Sequence, residues 1–111
     1  MLTQQNITDR NFTFYKTDKD NILDTYDRDI YLALATKVNQ DDTTTQFPVQ
    51  LTYFTNNGLI TLKTLYKNPR LTNEYFFAGT ALTTDELDEL LNTFKYTIEV
   101  LDFNNLGTYY E

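Results

Sequence analysis

The chain has 111 residues, 41 % of them hydrophobic, and a formal net charge of −7, which suits one domain able to close a single core without staples. It contains no Cys, His, Trp or Ser, against 20 Thr, so disulfides, Cys/His zinc sites and Ser or Cys triads with a His base are excluded. No apolar run approaches the length of a membrane-spanning helix.

Residues 1–10 are polar, lack the charged-then-apolar start of a secretory signal, and read as a mobile lead-in. On that reading the protein works in the cytoplasm, or as a virion component assembled there. The composition, rich in Asn, Tyr, Phe, Asp and Thr with only 3 Gly, is of the kind met in small proteins of low-GC bacteria and their tailed phages. Residues 11–17 alternate, Phe12 and Phe14 against Thr13 and Tyr15, as a first strand with apolar content on both sides. The 18–21 cluster is a turn.

Residues 28–38 alternate best, with Ile30, Leu32, Leu34 and Val38 on one face and Tyr31, Ala33, Ala35 and Lys37 on the other. Ala and Leu favour a helix here, but the period of two predicts a strand. A polar, flexible 39–46 stretch leads to Pro48, which opens a hairpin where a missing N–H costs least.

Residues 49–66 are two alternating runs joined at Asn57 and Gly58, the pair that suits a two-residue type I′ turn. That turn predicts Thr55 opposite Ile60, Tyr53 opposite Leu62, Leu51 opposite Thr64 and Val49 opposite Tyr66. Val49, Leu51, Tyr53, Ile60, Leu62 and Tyr66 then share an inner face. Gln50, Thr52, Thr61 and Lys63 share the outer one, with Phe54 and Leu65 as apolar exceptions. Pro69 ends the second run.

Residues 74–78 read as a short strand closed by Gly79. A helix over about 84–95 follows, with Thr83 and Glu86 as a capping box, Leu82 stapled to Leu87, and Lys95 near the negative end of the dipole. Leu87, Leu90, Leu91 and Phe94 form its apolar stripe. Residues 96–101 return as a strand, and 106–111 are a tail or a last edge strand. The order predicts a single α+β domain over 1–111: a mainly antiparallel sheet of five or six strands, with that one C-terminal-half helix packed on one face.

Charge is segregated. Residues 43–73 hold no acid, and Lys63, Lys67 and Arg70 give +3 there against −10 elsewhere. With Phe54 and Leu65 these three cations form the candidate binding residues: a mixed aromatic and basic face on the hairpin. A sheet edge protected by lysines against sheet-to-sheet pairing is the competing reading. Tyr15, Tyr31, Phe54, Tyr75, Tyr109 and Tyr110 exceed what one small core holds, and exposed tyrosine favours protein interfaces. The 18–29 run has five aspartates, but Ile22 and Leu23 occupy positions where a calcium loop needs an oxygen ligand and a glycine. No metal or cofactor is expected. No acid pair is set apart as glycosidase chemistry requires, so no catalytic residue is named.

The expectation is a non-enzymatic protein-interaction or structural module, phage- or mobile-element-encoded, acting as an assembly adaptor or a binder of a host protein. Its partner is another protein, with no membrane and with a homo-oligomer compatible. The alternative is a single-stranded nucleic-acid binder using the 49–70 face, disfavoured because three cations in a −7 chain are a weak footprint. An acidic nucleic-acid mimic comes third, and needs the 18–29 and 85–89 acids along one ridge.

Overall fold

A computed structural model describes residues 1–19, 27–65 and 74–105. The fold is α+β, built on one antiparallel sheet of six strands. Strands β1 (Thr13–Lys19), β2 (Asp27–Val38), β3 (Thr44–Phe54), β4 (Leu59–Thr64) and β5 (Tyr75–Thr80) follow one another across it, and β6 (Thr97–Glu99) pairs with β2. Helices α1 (Gln4–Thr8) and α2 (Thr84–Asn92) and a 3-10 turn at Phe103–Asn105 complete the described elements.

The alternation in β2 sorts two apolar clusters onto opposite faces, as a period of two requires. Tyr31, Ala33 and Ala35 enter the main core, whereas Ile30, Leu32 and Leu34 form a second cluster with Leu101, against which Leu65 packs. We call these the inner and outer faces. Leu87 of α2 and Ile7 of α1 both enter the inner cluster, so both helices lie on that side.

In the central hairpin the faces are as expected and the register is not. Tyr53 pairs with Ile60, Leu51 with Leu62 and Val49 with Thr64, so the loop has four residues rather than two. A slip of two preserves parity, and Val49, Leu51, Tyr53, Ile60 and Leu62 are all buried inward. The physical reason lies in Asn57. A type I′ turn needs φ > 0 at both central residues, but among the described residues only Asn11, Asp42 and Gly58 have it. Instead the Asn57 side chain accepts the Leu59 N–H at 3.0 Å. The Gly58 N–H donates to Phe54 O at 2.9 Å, closing the wider turn. Ala81 N–H in turn donates to Gly58 O at 2.9 Å, and a Cβ on Gly58 would stand 2.5 Å from Leu82 Cδ2. The turn is therefore seated beneath the 81–82 backbone. Tyr66, expected opposite Val49, lies outside the described residues, as do Pro69 and the 106–111 tail.

Pro48 sits inside β3, not at its start, paired with Leu34. Its carbonyl accepts from Leu65 N–H at 3.0 Å. The N and C=O of one strand residue face the same side, so the ring nitrogen points past the end of β4 and not into the β2 ladder. The expected flexible stretch before it is a compact turn. Asp42 has φ 64°, and the Asn39 amide donates to the hydroxyls of Thr43 and Thr45 at 3.1 and 2.9 Å.

The expected mobile lead-in is instead a folded element. Thr3 and Asn6 form a reciprocal capping box at 3.2 and 2.9 Å, and Ile7 is fully buried. Asn11, at φ 71°, reverses the chain, and its amide donates to Ile98 O at 2.9 Å.

In α2 the Thr83 hydroxyl accepts from Glu86 N–H at 3.2 Å as expected. The Glu86 carboxylate takes the Thr83 hydroxyl at 3.1 Å. Leu82, expected as a staple, is 45 % exposed and lies over Gly58. The helix ends at Asn92, short of 95, because the Thr93 hydroxyl and N–H both engage Leu90 O, at 2.6 and 3.1 Å. Lys95 thus falls beyond it. Gly79 does not close β5 but lies within it under α2, where a Cβ would stand 2.7 Å from Leu90 Cδ2. The last strand is shorter than 96–101 because β1 already occupies residues 27–32 of that edge of β2, leaving 34–36 for β6.

Candidate functional site

Cross-strand pairing places the outer-face side chains in rows. Asp18, Arg28 and Phe54 form one; Lys16, Ile30, Thr52, Thr61 and Ala78 the next; Leu32, Gln50, Lys63 and Tyr75 a third. A β-bulge between Phe14 and Lys16 makes this possible. It leaves Phe14 on the inner side, edge-to-face with Tyr31 at 5.6 Å. Lys16 is then free to line up with Ile30. Tyr15, the extra residue, stands edge-to-face with Phe103 at 5.9 Å.

Of the five predicted binding residues, the structure puts Phe54, Lys63 and Leu65 on the outer side; Lys67 and Arg70 lie outside the described residues. Phe54 is half-buried opposite Arg28. Lys63 stands between Gln50 and Tyr75, its Nζ 5.9 Å from the Tyr75 ring centre. Leu65 is taken up by the chain's own outer cluster with Ile30, Leu32, Leu34 and Leu101. The aromatic surplus divides accordingly. Tyr31 is fully buried inward, while Tyr15 and Tyr75 are 48 % and 66 % exposed. Tyr109 and Tyr110 lie outside the described residues.

Lys16 and Arg28 are the contributions that sequence reasoning missed. They join the hairpin residues only through the β1–β2 and β2–β3 registers, which no short-range signal in the chain specifies. Together with Tyr15, Asp18, Ile30, Gln50 and Thr52 they line a cleft of about 280 Å³. Lys16 Nζ is 3.4 Å from Asp18 Oδ1 and 5.7 Å from the Tyr15 ring centre. Gln50 Nε2 donates to Thr52 Oγ1 at 3.1 Å. Arg28 Nε is shut off from solvent without an acceptor.

The inner side offers a smaller recess of about 220 Å³, walled by Phe47, Phe76 and Tyr96 with Lys37 and Glu74 at its rim. These rings and Phe94 stack mostly edge to face, with centroids 4.9 to 6.3 Å apart. Between the two helices, Arg10 clamps Asp88 of α2 through Nε at 2.6 Å and Nη2 at 3.1 Å, and holds Asn6 O of α1 through Nη1 at 2.6 Å. The Arg10 hydrogen bond holds the Asp88 carboxyl below the usual carboxylate range, and the same bond raises Arg10.

Of the 18–29 acids that are described, Asp18 projects from the outer face, whereas Asp27 and Asp29 share the inner parity of Tyr31, the side on which α2 carries Asp85, Glu86, Asp88 and Glu89. No group of three or more carboxylates among the described residues converges to hold a metal ion. No described helix is long and apolar enough to cross a membrane. Comparison with protein-family models, curated proteins and solved structures finds no match to this chain.

Proposed function

We propose that the chain is a non-enzymatic protein-interaction module that docks a partner protein against the outer face of its sheet. One observation carries this reading: the exposed rings of Tyr15, Tyr75 and Phe103 flank Lys16, Arg28 and Lys63 on one face of a chain whose net charge is −7. Tyrosine and arginine are enriched among the few residues that carry most of the affinity at protein interfaces. A local positive face on an acidic body also orients an approaching partner without attracting polyanions indiscriminately.

The test is affinity capture from the native host with three proteins: the parent, a Lys63→Glu/Tyr75→Ala variant of the outer face, and a Glu89→Lys variant on α2. A partner held by the parent and the α2 variant but lost by the outer-face variant supports the reading. Capture indifferent to the outer-face changes refutes it. The alternation of rings and cations across a sheet also suits single-stranded nucleic acid. Salt-titrated oligonucleotide binding that weakens steeply with ionic strength and vanishes in the same variant would favour that second reading.

A further inference from the structure

We infer that the Arg28 cleft is a receptor for a single carboxylate, an acidic side chain presented by the docked partner. The source of the carboxylate rests on the docking reading; the site itself stands on its own geometry. Asp18 is directly opposite Arg28 in the β1–β2 ladder, where an ion pair would ordinarily form. It is held instead by Lys16 at 3.4 Å. Among the described residues the Arg28 side chain makes neither an ion pair nor a hydrogen bond, and its Nε is closed off from water. Nε is closed to an incoming oxygen as well, so an oxyanion meets the guanidinium at its Nη groups, which are left without an acceptor among the described residues.

The remaining donors point to the same chemistry. Thr52 Oγ1 already accepts from Gln50 Nε2, so the hydroxyl proton is left for an acceptor in the cleft. Lys16 supplies a second positive charge at the wall. A planar carboxylate matches the guanidinium fork with two parallel bonds. The cleft, at about 280 Å³, is smaller than a typical small-molecule pocket and suited to one side chain. A phosphodiester strand fits less well: the cleft takes one anionic group, and each added phosphate meets the field of a −7 chain.

The Arg28 Nε–Hε resonance of the full chain reads the site directly. Titration with N-acetyl-glutamate amide at low ionic strength should shift it saturably, while the uncharged N-acetyl-glutamine amide should not. Arg28→Lys, which keeps the charge but loses the fork, should weaken the glutamate probe about tenfold, as followed at the Gln50 side-chain amide. Thr52→Val should weaken it several-fold with the Arg28 resonance still present. No saturable shift in the parent protein overturns the inference and leaves the capture result standing. Tighter binding of inorganic phosphate or of a deoxythymidine oligonucleotide overturns the choice of carboxylate. A saturable shift without capture that depends on the outer face overturns the partner as its source.

Discussion

Replacing Tyr31 by Phe removes one oxygen from the middle of the inner core. Tyr31 is fully buried, and its hydroxyl has no hydrogen-bond partner. An unpaired buried hydroxyl costs about 1–3 kcal/mol. Deleting it leaves a void on the order of 10 Å³, which at ~24 cal/mol per Å³ costs only about 0.2 kcal/mol. The edge-to-face contact with Phe14 at 5.6 Å is retained. Tyr31→Phe should therefore stabilise the fold by about 1–2 kcal/mol, read as a urea midpoint raised by roughly 0.5–1 M. Tyr15→Phe, on an exposed ring, is the control that should change little.

Alkaline pH supplies an independent arm. Burial, then the Asp29 and Tyr53 charges, pushes the Tyr31 phenol well above its ordinary value of 10.0. The native state keeps that proton after the unfolded chain has released it. Stability is thus full below pH 10 and falls as pH rises toward the raised native value, by up to about 1.4 kcal/mol per unit for this group. Burial raises Tyr53 as well, so Tyr31→Phe should flatten the alkaline decline without abolishing it. A loss of more than about 1 kcal/mol at neutral pH, or an unchanged alkaline slope, would refute the argument and mean that the hydroxyl has a partner in solution.

Gly79→Ala places a methyl against Leu90 and should cost about 1–3 kcal/mol. Adding Leu90→Ala should recover part of that loss in a double-mutant cycle by urea unfolding, and strict additivity would contradict the contact. Asp88→Asn should cost about 0.5–1 kcal/mol at neutral pH, since the half-exposed carboxylate is screened by water. Because Arg10 lowers this carboxyl, its contribution is present above 3.8 and lost as pH falls through the depressed value. Parent and variant should therefore converge in strong acid. Leu101→Ala, which uncovers Ile30, Leu32 and Leu34, should cost about 2–5 kcal/mol by thermal or urea unfolding. A change under about 1 kcal/mol would mean that the outer cluster adds little to the fold.

What was legible in the residues was periodicity. The two-faced strand expected at 28–38, the inward side of the hairpin and the Leu87, Leu90 and Leu91 stripe on α2 follow from spacing alone and are present. Phe94, expected on that stripe, instead enters the core from beyond the helix end at Asn92. Illegible features were those fixed by a distant neighbour. The hairpin loop widened because Asn57 spends its side chain on Leu59 and Gly58 is seated under Ala81. The first helix escaped notice because its box closes with Asn6 where Glu or Gln is the familiar partner, and because five residues are too few to show a period. The cleft was invisible for a related reason. Lys16 reaches it through a one-residue bulge, and Arg28 through pairing with Phe54 26 residues away.

The divided flank of β2 also bears on how the chain acquires its shape. One stretch of that strand is completed by β1, a few residues before it, and the adjoining stretch by β6, some sixty residues after. During synthesis the amides of residues 34–36 on that flank stay unladdered until residue 99 has emerged, and Leu34 waits as long for Leu101. Closure of the sheet is then a late event coupling the first and last described strands, with Asn11 and Ile98 as its clasp. A ribosome-stalled series should gain protease resistance in one step near that length, not gradually with each added strand.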